Sequence, residues 1–346
     1  MNLQNPQHYD AILLVSFGGP EGMKDVMPFL ENVVRGRNIP RDRLESVAEH
    51  YYAVDGVSPV NDQNRALIAA LKTELDIHGP QLPIYWGNRN WAPYLTDTVQ
   101  QMADDGIQRA LAIFTSAYSS YSSCRQYREN IVEAQKAVGK QAPAIDKIRV
   151  FYNHPDFVAI HAKLVNAALQ QLPAERRATA HIVFTAHSIP TAMAQNCRYE
   201  AQLQEVSRLT ATHLNHPDWR LVYQSRSGPP MLPWLEPDIC DHLKALKAQG
   251  ILDVVVAPIG FLSDHMEVIY DLDIEAAELA QKLDMTMIRA GTVGIDAHFV
   301  TLLRHLIVER MTANPEILSI GNDGPGPDVC PIDCCLPGRG RPIAAR

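Results

Sequence analysis

The feature that limits this chain most is a unit that keeps returning along it. A short β-branched, apolar run breaks off at Gly, Ser or Pro and is followed by a stretch of helical period. Such runs predict buried parallel strands at residues 11–17, 82–86, 110–115 and 148–152. A second set follows at 180–186, 220–224, 253–257 and 285–288, alternating with helical patterns at 154–171, 199–214, 235–248, 265–283 and 296–311. Strands that alternate with helices build an α/β fold with parallel sheets. Two such sets in 346 residues predict two Rossmann-like lobes, 1–155 and 156–319, each a parallel sheet flanked by helices, with a cleft between them.

In open sheets of this kind ligands sit at the carboxyl ends of the strands. Two stretches have that character. One is HIVFTAHSIP, residues 181–190; the other is VVVAPIGFLSDHMEVIYDLDIE, residues 254–275. Their polar ends hold His187, Asp264, His265 and Glu267. His187 reads either as a histidine satisfied by its own turn or as an imidazole that moves protons or binds metal near neutral pH. Asp264 and Glu267 have the spacing of a capping box, Asp264 as N-cap and Glu267 reaching back. Glu267, Asp271 and Glu275 then recur every four residues on one helical stripe. Like charges at that spacing repel, so the stripe is either a solvated acidic face or a track for a hard divalent cation leading toward His265 and His187.

The final segment, 320–346, is rich in Gly and Pro and carries three of the six cysteines. It can be neither a helix nor a central strand. Cys330, Cys334 and Cys335 are placed to be metal ligands that order a floppy segment. A fourth ligand must come from elsewhere, and Cys124, exposed by its position just after a strand, is the candidate. Zinc, a 2Fe-2S cluster and a vicinal disulfide at Cys334–Cys335 all remain open on this basis. Cys197 and Cys240 fall in helical patterns and read as buried free thiols.

Composition narrows the partners. A net charge of -8 without a Lys/Arg cluster argues against nucleic acid and against anionic lipid. The leading residues show no secretory pattern, and no window approaches the roughly 18 consecutive apolar residues of a membrane span, so a cytoplasmic protein is expected. SFGGP after the first strand lacks the spacing of a dinucleotide loop, and Pro20 removes an amide donor. A tight turn or a close approach to a flat ligand fits it better.

Taken together, FTAHSIP, YQSRSGPPMLPWLEP from Tyr223 and PIGFLSDHMEVIYDLDIE resemble the signature segments of the ferrochelatases in order and spacing. SFGGP, YYAVDGVSPV from Tyr51, YWGNRNWAPYL from Tyr85 and TSAYSSYSSCRQYREN from Thr115 extend the resemblance over nearly the whole chain. It implies chelatase-type lobes around a porphyrin cleft and insertion of Fe2+ into a free-base porphyrin. His187 and Glu267 then face each other across the porphyrin, with Asp264, His265, Asp271 and Glu275 as a possible metal relay. Ser58, Tyr127 and Arg89 fall at porphyrin-contacting positions, Ser58 and Tyr127 in a spacing similar to coproporphyrin III ferrochelatases. Phe17 joins them where some relatives have a tyrosine, so no phenolic oxygen can ligate metal there. Cys124, Cys330, Cys334 and Cys335 resemble the cysteines of members that carry a 2Fe-2S cluster, which favours the cluster over zinc.

The expected reaction is haem biosynthesis from coproporphyrin III; the rival substrate is protoporphyrin IX. The rival of another class is a carrier of haem, porphyrin or metal that does no chemistry. Expected partners are the porphyrin, Fe2+ and, by transient hand-over, other enzymes of the haem pathway.

Overall fold

The computed structural model describes residues 7–37, 39–229 and 231–338. Residues 1–6, on which part of the signal-peptide reading rests, and 339–346 of the Cys-rich segment lie outside the described residues. Among the described residues, eight strands form two sheets. In the first, β1 (Ala11–Ser16), β2 (Ile84–Asn88), β3 (Arg109–Phe114) and β4 (Ala144–Lys147) lie in the order β2-β1-β3-β4. In the second, β5 (His181–His187), β6 (Trp219–Gln224), β7 (Asp253–Ala257) and β8 (Thr286–Arg289) lie in the order β6-β5-β7-β8. Every pairing within both sheets is parallel.

The first half holds α1 (Val26–Val33), α2 (Arg41–Tyr52), α3 (Val60–His78), α4 (Leu95–Asp104) and α5 (Gln126–Val138). α6 (Pro155–Leu169) leads into the second half, and α7 (Ala174–Arg177), α8 (Thr191–Ala194), α9 (Tyr199–His213) and α10 (Ile239–Ala248) follow. Next come α11 (Met266–Val268), a π-helical segment (Ile269–Ala276), α12 (Ala277–Lys282) and α13 (Ala297–Met311). Because strand side chains alternate, β1 sends Ile12 and Leu14 to one face and Leu13 and Val15 to the other. The first face joins a core that also takes in Phe184 and Val255 of the second sheet and Phe157 and Leu302 of the helices between. The two sheets thus share one apolar interior, and α13 packs on both α3 and α6.

Three sequence expectations are corrected. The fourth strand is Ala144–Lys147, not 148–152; the Ile148 N–H still bonds the Ala112 carbonyl, but Phe151 and Tyr152 lie buried past the end of the sheet, so their apolarity reports burial rather than strand pairing. The helix expected from 235 starts at Ile239, with Asp238 accepting from the Cys240 amide, because Pro233 and Pro237 hold the preceding chain extended. The single helix expected over 265–283 is broken in register by its π-helical middle.

Candidate active site

The strand order reverses direction at β1 and at β5, so crevices open at the carboxyl ends of these two strands. His187 is the last residue of β5, and Glu267 enters from α11, just past β7. Their side chains are 30% and 47% exposed, and His187 Nε2 lies 3.4 Å from Glu267 Oε1. That contact sets the imidazole and the carboxylate against each other, held by their opposite charges.

Burial works against charge on His187, but the Glu267 carboxylate outweighs it and raises the imidazole to about 9. Burial also opposes charge on Glu267, and His187 reverses it, holding the carboxyl at about 2. The pair is therefore ionised at neutral pH. Nδ1 of His187 is engaged by the Ser188 carbonyl, and the His187 carbonyl accepts from the Tyr199 hydroxyl at 3.1 Å. These bonds fix ring and backbone together.

Asp271 lies beside the pair. Burial first, and the negative Glu267 next, push it up to about 7, against the hydrogen bond it accepts from the Ser225 hydroxyl. Gln224 Nε2 donates to the Glu267 carbonyl at 3.1 Å and lies 3.4 Å from Asp271 Oδ2. Glu275, further along, is also raised, by burial and then by Asp238. The site thus combines an ionised carboxylate, an imidazolium and an acid that holds its proton near neutrality. Such a set can bind a dication and, once His187 and Asp271 have given up their own protons to solvent, take up protons displaced nearby.

Asp264 is not the helix cap. His265 is, its Nδ1 accepting from the Glu267 amide at 3.2 Å, while burial lowers its affinity for a proton. The Asp264 carboxylate is committed to Arg289 at 3.1 Å, and its backbone N–H and C=O both bond the Gln63 amide, 201 residues away. Asp264 therefore stands apart from the acidic row and ties this loop to α3.

At the end of β1 the arrangement is aromatic. Arg89 sits over the rings of Tyr127 at 4.7 Å and Phe17 at 5.6 Å, and its Nε donates to Asn130 at 2.6 Å. Phe17 is 39% exposed, whereas Tyr127 and Ser58 are buried. Ser58 packs on Gly19, where an added Cβ would stand 2.7 Å from its own; Gly18, at φ 81°, turns the chain beside Asn88. An edge-to-face series Phe17–Phe29–Tyr51 runs from here, and Tyr51 lies within electrostatic reach of Glu267. His50 stacks on Tyr270 with centroids 3.7 Å apart. Residues of both halves therefore wall the crevice.

Sequence reasoning missed Gln63, Tyr199, Gln224 and Ser225. Gln224 and Ser225 could have been found, since one ends β6 and the other follows it within the quoted segment from Tyr223. Gln63 gave no signal, because its partner is far away in sequence.

Cys124, Cys330, Cys334 and Cys335 line a cavity of about 360 Å³, together with Cys197 and Lys147. Cys124 is buried rather than exposed, because the turn Tyr121–Arg125 faces inward beneath the Cys-rich segment. Cys197 lies between α8 and α9 rather than within a helix. The Cys124 thiol donates to Cys330, which this contact, against burial, lowers to about 5. Arg128 Nη1 reaches Cys334 Sγ at 3.1 Å, and Arg125 holds the Ile332 and Cys334 carbonyls at 2.8 and 2.7 Å. Clustered thiols beside two cations suit an anionic metal–thiolate centre.

Comparisons with known proteins bear on these sites. The sequence profile described as Ferrochelatase matches residues 9–311. A ferrochelatase of Rhodopirellula baltica is 53% identical, over 97% of this chain and 98% of its own. Coproporphyrin III ferrochelatases of Streptomyces griseus and Streptomyces coelicolor are 50% and 51% identical, over 99% and 97% of this chain and 98% and 96% of theirs. On both the profile and the extent of these identities, the chain belongs to the ferrochelatase family.

Proposed function

We propose that this ferrochelatase inserts Fe2+ into coproporphyrin III, giving Fe-coproporphyrin III for haem synthesis. The observation that carries the reading is the ionised His187–Glu267 pair with the proton-holding Asp271 beside it, in a chain half identical to coproporphyrin III ferrochelatases over nearly its whole length.

Metallation must bend a flat ring, strip water from iron and take away two pyrrole protons. Fe2+ docks on Glu267 from the side of the ring where the pair lies. A dication there cancels the charge that holds the proton on His187, so the imidazolium releases it and the neutral ring can accept a pyrrole proton. Asp271 and Glu275 share the released protons and pass them outward. Phe17 and Tyr51 press on the ring, and Arg89 meets a propionate. Ser58 and Tyr127 support that wall from behind.

We infer that Cys124, Cys330, Cys334 and Cys335 hold a 2Fe-2S cluster. Their shared cavity, with room for more than a single ion, supports this over zinc, and the adjoining Arg128 and Lys147 suit the negative charge of such a centre. When bound, such a cluster supplies a one-electron couple. The protein's own part is to pin the segment after α13 to α5.

The test offers Fe2+ under anaerobic conditions with coproporphyrin III or protoporphyrin IX and follows the visible spectrum. Loss of the free-base bands with coproporphyrin III, faster than with protoporphyrin IX, is expected. The reverse order would give the substrate to protoporphyrin IX. Porphyrin bound yet unmetallated in both mixtures would make the protein a carrier.

A further inference from the structure

Away from the crevice, where α6 begins and α13 passes, three side chains converge that the chelatase chemistry does not use. His154 is the N-cap of α6, Asp156 is in its first turn, and His305 comes from the middle of α13. One ligating atom from each lies within 4.8 Å of the others, the only group of three among the described residues to gather so closely. The His154 side chain has no exposure, and its Nε2 is buried without a hydrogen-bond partner. His305 Nδ1 is likewise buried and unpartnered, and the two rings lie 6.3 Å apart. Six histidine nitrogens among the described residues are buried in this way, and of these His305 Nδ1 is the one a metal here would take up; His154 would ligate through Nδ1, the nitrogen that faces Asp156.

We propose that His154, Asp156 and His305 form a second divalent-metal site, separate from the His187–Glu267 pair. Two imidazoles and one carboxylate suit a borderline dication of the Zn2+ or Co2+ kind, with water in a fourth position. His154 Nδ1 and Asp156 Oδ2 already stand 3.7 Å apart. Ligands about 2.0–2.2 Å from zinc lie about 3.4 Å from one another, so closure needs shifts of about an ångström. Asp156 is 34% exposed and His305 only partly buried, so both have room to turn. The long 3.2 Å bond from the Asp156 amide to His154 Nδ1 is the one contact that coordination displaces.

The surroundings tolerate a dication. Arg149, a cation whose charge is felt at His154, is neutralised by Glu309, its Nε and Nη2 bonding the two carboxylate oxygens at 2.8 and 2.9 Å. Asp156 itself offsets the positive end of α6. A metal here would clamp the entry to the second half against the helix that also packs on α3.

The test titrates Co2+ into the full-length protein and into three variants. The His187→Ala/Glu267→Gln double variant removes the crevice pair, and His305→Ala or Asp156→Asn, each added to that double variant, removes one proposed ligand. The proposal expects the double variant to bind one Co2+ with a nitrogen/oxygen ligand-field spectrum, weakened at least tenfold once His305→Ala or Asp156→Asn is added. It also expects Zn2+ to raise the Tm of the double variant by more than that of the double variant carrying Asp156→Asn. Circular dichroism checks folding, and the exposed Asp156 carries the test if His305→Ala does not fold. Unchanged Co2+ affinity on adding Asp156→Asn, loss of all binding in the double variant, or only thiolate charge-transfer bands would each overturn it.

Discussion

His187 and Glu267 hold each other's charge, so neither can be changed alone without shifting the other. In Glu267→Gln the imidazole loses the anion that raises it to about 9, while the burial that opposes its charge remains. Its titration, followed by NMR, should fall to or below the ordinary value near 6.5, and metallation should drop by more than about a hundredfold. In His187→Ala, turnover should be lost while porphyrin binding, measured by fluorescence quenching, stays within about tenfold, or 1.4 kcal/mol; equal loss of both would make His187 a structural residue. Both residues were legible in the sequence because each follows a buried strand at a ligand-bearing end. Their ionisation was not, since it depends on a 3.4 Å contact between residues 80 positions apart in number. The misplaced cap has a similar cause, as spacing alone cannot tell Asp264 drawn off by Arg289 from Asp264 turned toward its helix.

Among the elements, strands were the most legible, because apolar β-branched runs leave few other ways to be buried. β4 escaped because AIDK is mixed in character while the apolar run after it leaves the sheet. The π-helical turn of Ile269–Ala276 escaped because eight residues are too few for the hydrophobic period to separate it from an α-helix. α6 carries a pH prediction of its own. Burial alone pushes His161 down to about 3, with its ring edge-on to Phe157 at 4.5 Å. Between the unfolded value near 6.5 and about 3 the unfolded chain binds a proton that the folded one refuses, so stability falls as pH falls through that window. His161→Phe should therefore move acid unfolding, followed by far-UV circular dichroism, to lower pH; an unmoved midpoint would show that His161 does not govern it.

At the scale of the whole molecule, contacts between the halves decide whether the crevice keeps its shape. Gln63→Ala strips both backbone groups of Asp264 of their partner and should cost about 1–3 kcal/mol, read as a lower urea midpoint with unchanged secondary structure. If the proposed cluster is held there, Cys334→Ser should bleach its visible absorption and lower the Tm, since the same segment is tied to α5 through Arg125 and Arg128; undiminished colour would remove Cys334 from the proposed ligands. Both halves place their strands in one order, an edge strand, the central strand and two more on the other side. The shared order sets the ends of β1 and β5 at equivalent places in their sheets, and two equivalent crevices have been furnished differently: the first with a glycine turn and the Arg89–Phe17–Tyr127 stack, the second with the His187 imidazole.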